Sequence, residues 1–316
     1  MTQTLSEDLE LFCTRIPEEQ EGERVDKCIA SLIGSLSRSF IQKMIKEGRV
    51  SVNGVPVKAS CQLREGDELR FLIPKAQEPD IEPENIPLDV LYEDGDVLVV
   101  NKPKGMVVHP AAGHYSGTLV NAVMFHCKGQ LSGINGVMRP GIVHRIDKDT
   151  TGSILVCKND AAHQALAAQF AVHSITRRYR AIVHGVLKAD EGTIDAPIGR
   201  DVSDRKKMGI SHAHGKEAVT HYRVLERFGS YTYIECRLET GRTHQIRVHL
   251  AYLGHPVAGD ELYGPKKAIK RLEGQCLHAR ALGFVHPITG EHLYFESPLP
   301  PYFTSFLKTL KPREEE

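Results

Sequence analysis

The sequence carries no net charge, because 40 Lys and Arg balance 40 Asp and Glu. No chain-wide field announces a polyanionic partner, although a zero sum can hide a segregated distribution. No apolar run approaches the roughly 18 residues of a membrane span, and the N-terminus lacks the basic-then-apolar pattern of a secretory signal. No two of the seven cysteines (Cys13, Cys28, Cys61, Cys127, Cys157, Cys236, Cys276) form a CxxC pair. An odd, scattered set reads as reduced thiols and not as a disulfide framework. These absences set the expectation of a soluble cytoplasmic chain without a membrane.

Nucleotide and metal signatures are missing as well. There is no GxGxxG and no GxSxG elbow, and Gly209 to Lys216 has the wrong glycine spacing for a phosphate loop, with Glu217 where Ser or Thr belongs. His144-Arg145-x-Asp147 has the wording of a kinase catalytic loop, but no DFG follows and no glycine-rich loop precedes it. The sixteen histidines show no zinc-site spacing. Asp147-x-Asp149 could ligate a divalent ion on a sugar nucleotide, but no nucleotide-binding βα unit accompanies it. What remains is an aspartate, a phenol and several arginines, with neither metal nor cofactor expected.

Against this background one stretch stands out, His144-Arg145-Ile146-Asp147-Lys148-Asp149-Thr150-Thr151-Gly152, held between the apolar runs 141–143 and 154–157. Ionisable groups on a loop between strand-like segments are where a scaffold usually presents chemistry, although a charged turn can equally be plain solvated surface.

The charge is indeed segregated. Residues 1–23 form an acidic segment with a single arginine, residues 24–75 hold ten bases against five acids, and residues 76–96 hold eight acids and no base. Val25, Cys28, Ile29, Leu32 and Ile33 predict one short helix. Ser37 is placed to cap a second, with Phe40, Ile41, Met44 and Ile45 on its buried stripe, Arg38, Lys43 and Lys46 on the opposite face, and Gly48 as the stop. Val50 and Val52 lead into Asn53-Gly54, a type I′ hairpin signal, and Gly66-Asp67 turns the chain into a last strand. This order over residues 24–75 resembles the αL RNA-binding module named after ribosomal small-subunit protein four. The resemblance implies phosphate contacts along RNA from Arg38, Lys43, Lys46 and Arg49. The prolines and acids of residues 76–87 predict an extended linker.

From residue 88 to 310, many strand-like runs follow one another with few helices between, which predicts an α+β domain on a large, mainly antiparallel mixed sheet. Expected helices are 118–127, one capped by Asp160, one capped by Thr243, and a terminal one at 301–310; residues 311–316 form a charged tail. Basic residues recur at Arg178-Tyr179-Arg180, at Arg242 and at Arg205-Lys206-Lys207, the last in an insertion read as a mobile loop.

Four ordered motifs carry a second resemblance: Lys102-Pro103-x-Gly105 with His109-Pro110, His144 to Gly152, Tyr179-Arg180-Ala181 with Gly185, and Gly241-Arg242-Thr243-His244-Gln245-Ile246-Arg247-x-His249. They are similar to the RluA/RluD family of RNA pseudouridine synthases, and the wording is nearest the RluD type. Ile146 replaces the usual leucine, which conserves volume.

The resemblance implies isomerisation of uridine without metal or cofactor: the bond from C1′ to N1 breaks, uracil rotates, and C1′ bonds C5. It makes Asp147 the essential carboxylate. Asp147 must be ionised to act, so an arginine partner is physically required, and Arg242 is the family's candidate. Tyr179 would stack on the uracil, and Arg145 would fill the space left by a flipped nucleotide. His144, Arg205, Lys206 and Lys207 are further RNA-contact candidates. The expected partner is RNA, not DNA, and most of all a stem-loop of large-subunit ribosomal RNA in an assembling subunit, bound by a monomer. The alternatives are the same chemistry on transfer RNA, or a non-catalytic RNA-binding assembly factor.

Overall fold

The structure is a computed structural model that describes residues 9–33, 38–74, 81–110, 114–128, 130–132, 140–201, 204, 207–266 and 269–312. The expected cap Ser37 and the basic residues Arg205 and Lys206 lie outside the described residues, as does the side chain of Arg38. The chain divides into two compact units at Pro79 and Asp80.

In the first unit, β1 (Leu9–Arg15) precedes α1 (Val25–Leu32), α2 (Arg38–Lys46), β2 (Val50–Val52), β3 (Val55–Pro56) and β4 (Glu68–Pro74). The helical stripes Val25, Cys28, Ile29 and Ile41, Met44, Ile45 bury against Val50, Val52, Leu69 and Phe71. Asn53 and Gly54 both take positive φ, as a type I′ turn requires. The Asn53 amide then donates to Asp67 at 2.8 Å and accepts from the Glu68 N–H at 2.9 Å, tying the hairpin turn to the Gly66-Asp67 turn. One strand departs from the expectation. Residues 9–15, assigned by charge to a separate acidic segment, pair antiparallel with β4, and Phe12 stacks on Phe71 at 5.3 Å. Leu11 points to solvent, so the apolar residues do not alternate and the segment hides its strand character.

The second unit contains, in chain order, β5 (Val90–Glu93), β6 (Val97–Lys102), α3 (Leu119–His126), β7 (Thr151–Cys157), α4 (Asp160–Ala171), β8 (Thr176–His184), β9 (Glu191–Asp195), β10 (Ile198–Arg200), β11 (Met208–Ile210), β12 (Val219–Arg227), β13 (Tyr231–Leu238), α5 (Gln245–Tyr252), β14 (Leu277–Val285), β15 (His292–Glu296) and α6 (Pro301–Lys308). Its main sheet runs β5-β6-β7-β14-β8-β13-β12-β9, with β15 paired to β14. Every neighbouring pair in this sheet is antiparallel except β7 with β14. The predicted α+β class on a mainly antiparallel mixed sheet holds.

The centre of the sheet is covered on both faces. Leu98, Val100, Ile154 and Val156 pack with Leu119, Val120 and Val123 of α3, while Val97, Val99, Leu155 and Cys157 pack with Ala162 and Leu166 of α4. All of β7 is therefore buried, including Thr151 and Gly152. Gly152 has φ +112°, and a Cβ there would overlap the backbone of Ala279 on β14. The Thr-Thr-Gly wording thus serves the close β7–β14 approach as well as the turn. A Gly152→Ala change combines backbone strain with overpacking and is expected to cost about 3 kcal/mol, read as a lower urea midpoint for this unit. An unchanged midpoint would show that the strand pair accommodates the methyl group.

Several local expectations need correction. Residues 81–87 are packed against the unit and do not hang as an open linker: Ile81 is buried in the main core, and Asn121 exchanges hydrogen bonds with the backbone of Glu82 and Glu84. Asn159, and not Asp160, caps α4 by accepting the Ala162 N–H at 2.9 Å. The insertion expected to be a mobile loop contains the β10–β11 ribbon, with Ile198 opposite Ile210. The start of α5 is preceded by His244 in a left-handed conformation, so Thr243 does not cap it.

Candidate active site

The loop carrying Asp147 is pinned at several points. Ile146 is buried in the main core, Thr150 N–H bonds the Asp147 carbonyl at 3.1 Å, and Gln275 donates to the Thr150 hydroxyl at 3.1 Å. Lys102, at the end of β6, is fully buried and donates to the carbonyls of Pro103, Met106 and Lys148 at 2.8–2.9 Å. One ammonium group thereby joins the Pro103–Met106 turn to the Asp147 loop. Burial pushes its pKa down to about 7, against the opposing charges of Asp149 and Asp147. Pinned at both ends, the Asp147 side chain reaches a cleft of about 570 Å³.

Asp147 is paired with Arg247, whose Nη1 lies 2.8 Å from Oδ2. The same guanidinium is held from behind by Asp260, through Nε at 2.6 Å and Nη2 at 2.9 Å. Asp260 also accepts the N–H groups of Leu262 and Tyr263, and the Tyr263 ring lies 5.1 Å from the guanidinium. Side-chain exposure falls from 18% at Asp147 through 8% at Arg247 to none at Asp260. The cation is therefore fixed from the protein interior and presents its remaining edge to the carboxylate in the cleft. Burial opposes the Arg247 charge, but the Asp260 hydrogen bonds and the two carboxylate charges outweigh it and raise its pKa above the usual value.

This corrects the expected partner. Arg242 lines the cleft, but its Nε donates to the Glu217 carbonyl at 2.8 Å, and the ion pair with Asp147 belongs to Arg247. The geometry follows from how α5 is seated. Gln245 accepts the Arg242 N–H at 2.9 Å and donates to the Val219 carbonyl, and His249 links Thr220 to the Ala196 carbonyl. These bonds fix the helix against β12 and aim Arg247 inward. His244 stands beside the pair, with Nε2 3.9 Å from Asp147 Oδ1 and Nδ1 2.8 Å from the Tyr263 hydroxyl.

Tyr179 comes from the buried face of β8 and lines the same cleft. Burial raises its phenol pKa, with the Arg177 charge opposing and the Asp147 charge adding. Arg145 lines the cleft, its Nη1 3.4 Å from His109 Nε2. His144, expected as an RNA contact, is used differently. Its Nε2 accepts the Leu155 N–H at 2.8 Å and its ring stacks on Phe170 at 4.8 Å. Burial, helped by the Arg177 charge, lowers its pKa to about 3, so it is a neutral wall residue and not a cation for phosphate. Lys43, Lys46 and Arg49 lie in the first unit, where Lys43 and Arg49 both approach Glu47. Lys207 precedes β11, whose Met208 N–H donates to the Tyr263 hydroxyl.

Among the described residues, the grouping close enough to hold a cation is Asp94, Asp96 and His286, at the β5–β6 turn. Its atoms are already engaged. Asp94 accepts from the Asp96 and Val97 N–H groups, from Tyr92 and from His286, while Asn159 donates to Asp96. This is a hydrogen-bonded turn.

A carboxylate fixed by an arginine, facing a phenol across an arginine-rimmed cleft in a mixed sheet, defines a cleft enzyme for a polar, anionic substrate. Residues 96–252 match the family described as RNA pseudouridylate synthase, and residues 23–69 match the S4 domain. The chain belongs to the RNA pseudouridine synthase family and is an isomerase of that class. It is 55% identical to the "Uncharacterized RNA pseudouridine synthase YlyB" of Bacillus subtilis, covering 93% of this chain and 96% of that protein. It is 50% identical to the "Ribosomal large subunit pseudouridine synthase D" of Zymomonas mobilis, over 90% of this chain and 93% of the relative. Among solved structures, human RNA pseudouridylate synthase domain containing 1 aligns with a TM-score of 0.57 at 27% identity, covering 73% of this chain and 90% of that one.

Proposed function

We propose that this protein converts specific uridines of large-subunit ribosomal RNA to pseudouridine in the cytoplasm, with Asp147 as the catalytic carboxylate. The observation that carries the proposal is the Asp147–Arg247–Asp260 array, which gives the cleft one anionic side chain with a cation locked behind it. The relatives named for large-subunit ribosomal RNA support that substrate. In the isomerisation the C1′–N1 bond breaks, C1′ bonds C5, the proton on C5 leaves and N1 gains one, so nothing is oxidised or reduced. Asp147 supplies the negative charge at the reacting nucleotide, Tyr179 offers its ring to the uracil, and Arg145 takes the vacated place in the RNA stack.

Chemical mapping of pseudouridine in total RNA tests the substrate. Cells lacking the gene should lose signal at defined ribosomal sites and regain it with the wild-type gene but not with Asp147→Asn. Signal lost only from transfer RNA would overturn the ribosomal assignment.

The first unit supplies RNA capture through Lys43, Lys46 and Arg49. Replacing all three with alanine should weaken RNA binding and flatten the dependence of log K on log salt by about one unit for each phosphate no longer neutralised. An unchanged slope would remove this face from the binding surface.

A further inference from the structure

Arg177 is a buried cation with no task in the steps above. It precedes Tyr179 by two residues on β8, so both side chains fall on the same sheet face, and both line the cleft. Only 7% of the residue is exposed. No carboxylate among the described residues pairs with it. Its Nη2 donates to the Glu239 backbone carbonyl at 2.8 Å, while Nε, shut off from solvent, has no hydrogen-bond partner. The Glu239 carboxylate is engaged elsewhere, 2.6 Å from His221. The Phe170 ring, 5.6 Å away, offers a π-face but no countercharge.

A buried guanidinium without a countercharge is costly unless an anion arrives where it lines the cleft. His144 beside it is neutral and brings no countercharge, its pKa lowered by burial first and by the Arg177 charge second. A uracil carbonyl could accept from the part of the guanidinium that lines the cleft, but it would leave the charge uncompensated. A phosphodiester satisfies both, and arginine suits it geometrically. Gly241 makes the space: a Cβ there would come within 2.7 Å of Arg177 Nη1, although the backbone at this position is unstrained.

We infer that Arg177 forms, with the bare backbone at Gly241, a subsite for a phosphodiester flanking the target uridine, positioning the flipped nucleotide against Asp147 and Tyr179. The inference rests on the RNA-modifying reading above and names one of its contacts.

The test measures binding of a synthetic RNA stem-loop to protein carrying Asp147→Asn, which prevents turnover, with single methylphosphonates at each phosphate flanking the target uridine. Arg177→Gln should weaken binding roughly ten- to a hundredfold and lower the salt slope by about one unit. One methylphosphonate should weaken binding to the Arg177-containing protein similarly, yet have no further effect on Arg177→Gln. Gly241→Ala keeps the charge but displaces the guanidinium, and it should reproduce the same loss and the same insensitivity to that methylphosphonate. If every methylphosphonate effect multiplies with the Arg177→Gln effect, the subsite is overturned. Turnover of the unmodified stem-loop by wild-type protein is scored separately. Coupling without turnover would sink the reaction and leave the subsite standing, whereas turnover without coupling would do the reverse.

Discussion

Asp147→Asn is expected to abolish pseudouridine formation, by about four orders of magnitude or more, while RNA binding stays within a few fold of wild type. The change is nearly isosteric, and Arg247 keeps both hydrogen bonds to Asp260, so the cation and α5 remain in place. Only the negative charge in the cleft is lost. Single-turnover kinetics with a filter-binding control separates the two effects. Residual activity near wild type would show that another group carries the chemistry.

Arg247→Met should be the most damaging single change in the cleft for stability, and it should lower the rate as well. It leaves Asp260, with no side-chain exposure, facing an apolar chain, and it strips Asp147 of its ion pair. Removing one partner of a buried charged array costs about 3–5 kcal/mol, so thermal or urea unfolding should shift markedly and activity should fall with it. Arg242→Ala is the informative comparison. Its Nε meets a backbone carbonyl near the surface, so it should leave stability nearly unchanged and reduce activity less than Arg247→Met. Equal losses from the two changes would contradict the assignment of Arg247 as the partner of Asp147.

Much of the site's identity, but not its wiring, is legible in the sequence. Asp147 and Tyr179 sit in motifs whose residue types announce chemistry, and both meet in one cleft. The arginine partner is ambiguous from sequence because Arg242 and Arg247 share one motif. Choosing between them requires the start of α5, which Gln245 and the left-handed His244 set and a Thr243 cap would have shifted. Arg177 is within reach, since strand alternation places it on the face of Tyr179, but the Arg178-Tyr179-Arg180 island begins one residue later and draws the eye past it. Lys102 opens one of the ordered motifs, but nothing in its residue type shows that it is buried. Its burial depends on three carbonyls, one of them 46 residues away in sequence. The strand at residues 9–15 is hidden for the opposite reason, because edge position and acidic neighbours mask a weak apolar pattern.

The central claim is that this cleft, through Asp147, moves the glycosidic bond of a ribosomal uridine from N1 to C5. Because that step expels the hydrogen at C5, tritium release from large-subunit RNA transcribed with 5-tritiated uridine reports it directly. The wild-type protein should release tritium, saturating at a few sites per transcript, and Asp147→Asn should release none. Absence of release by wild type, or equal release by both proteins, would contradict the claim.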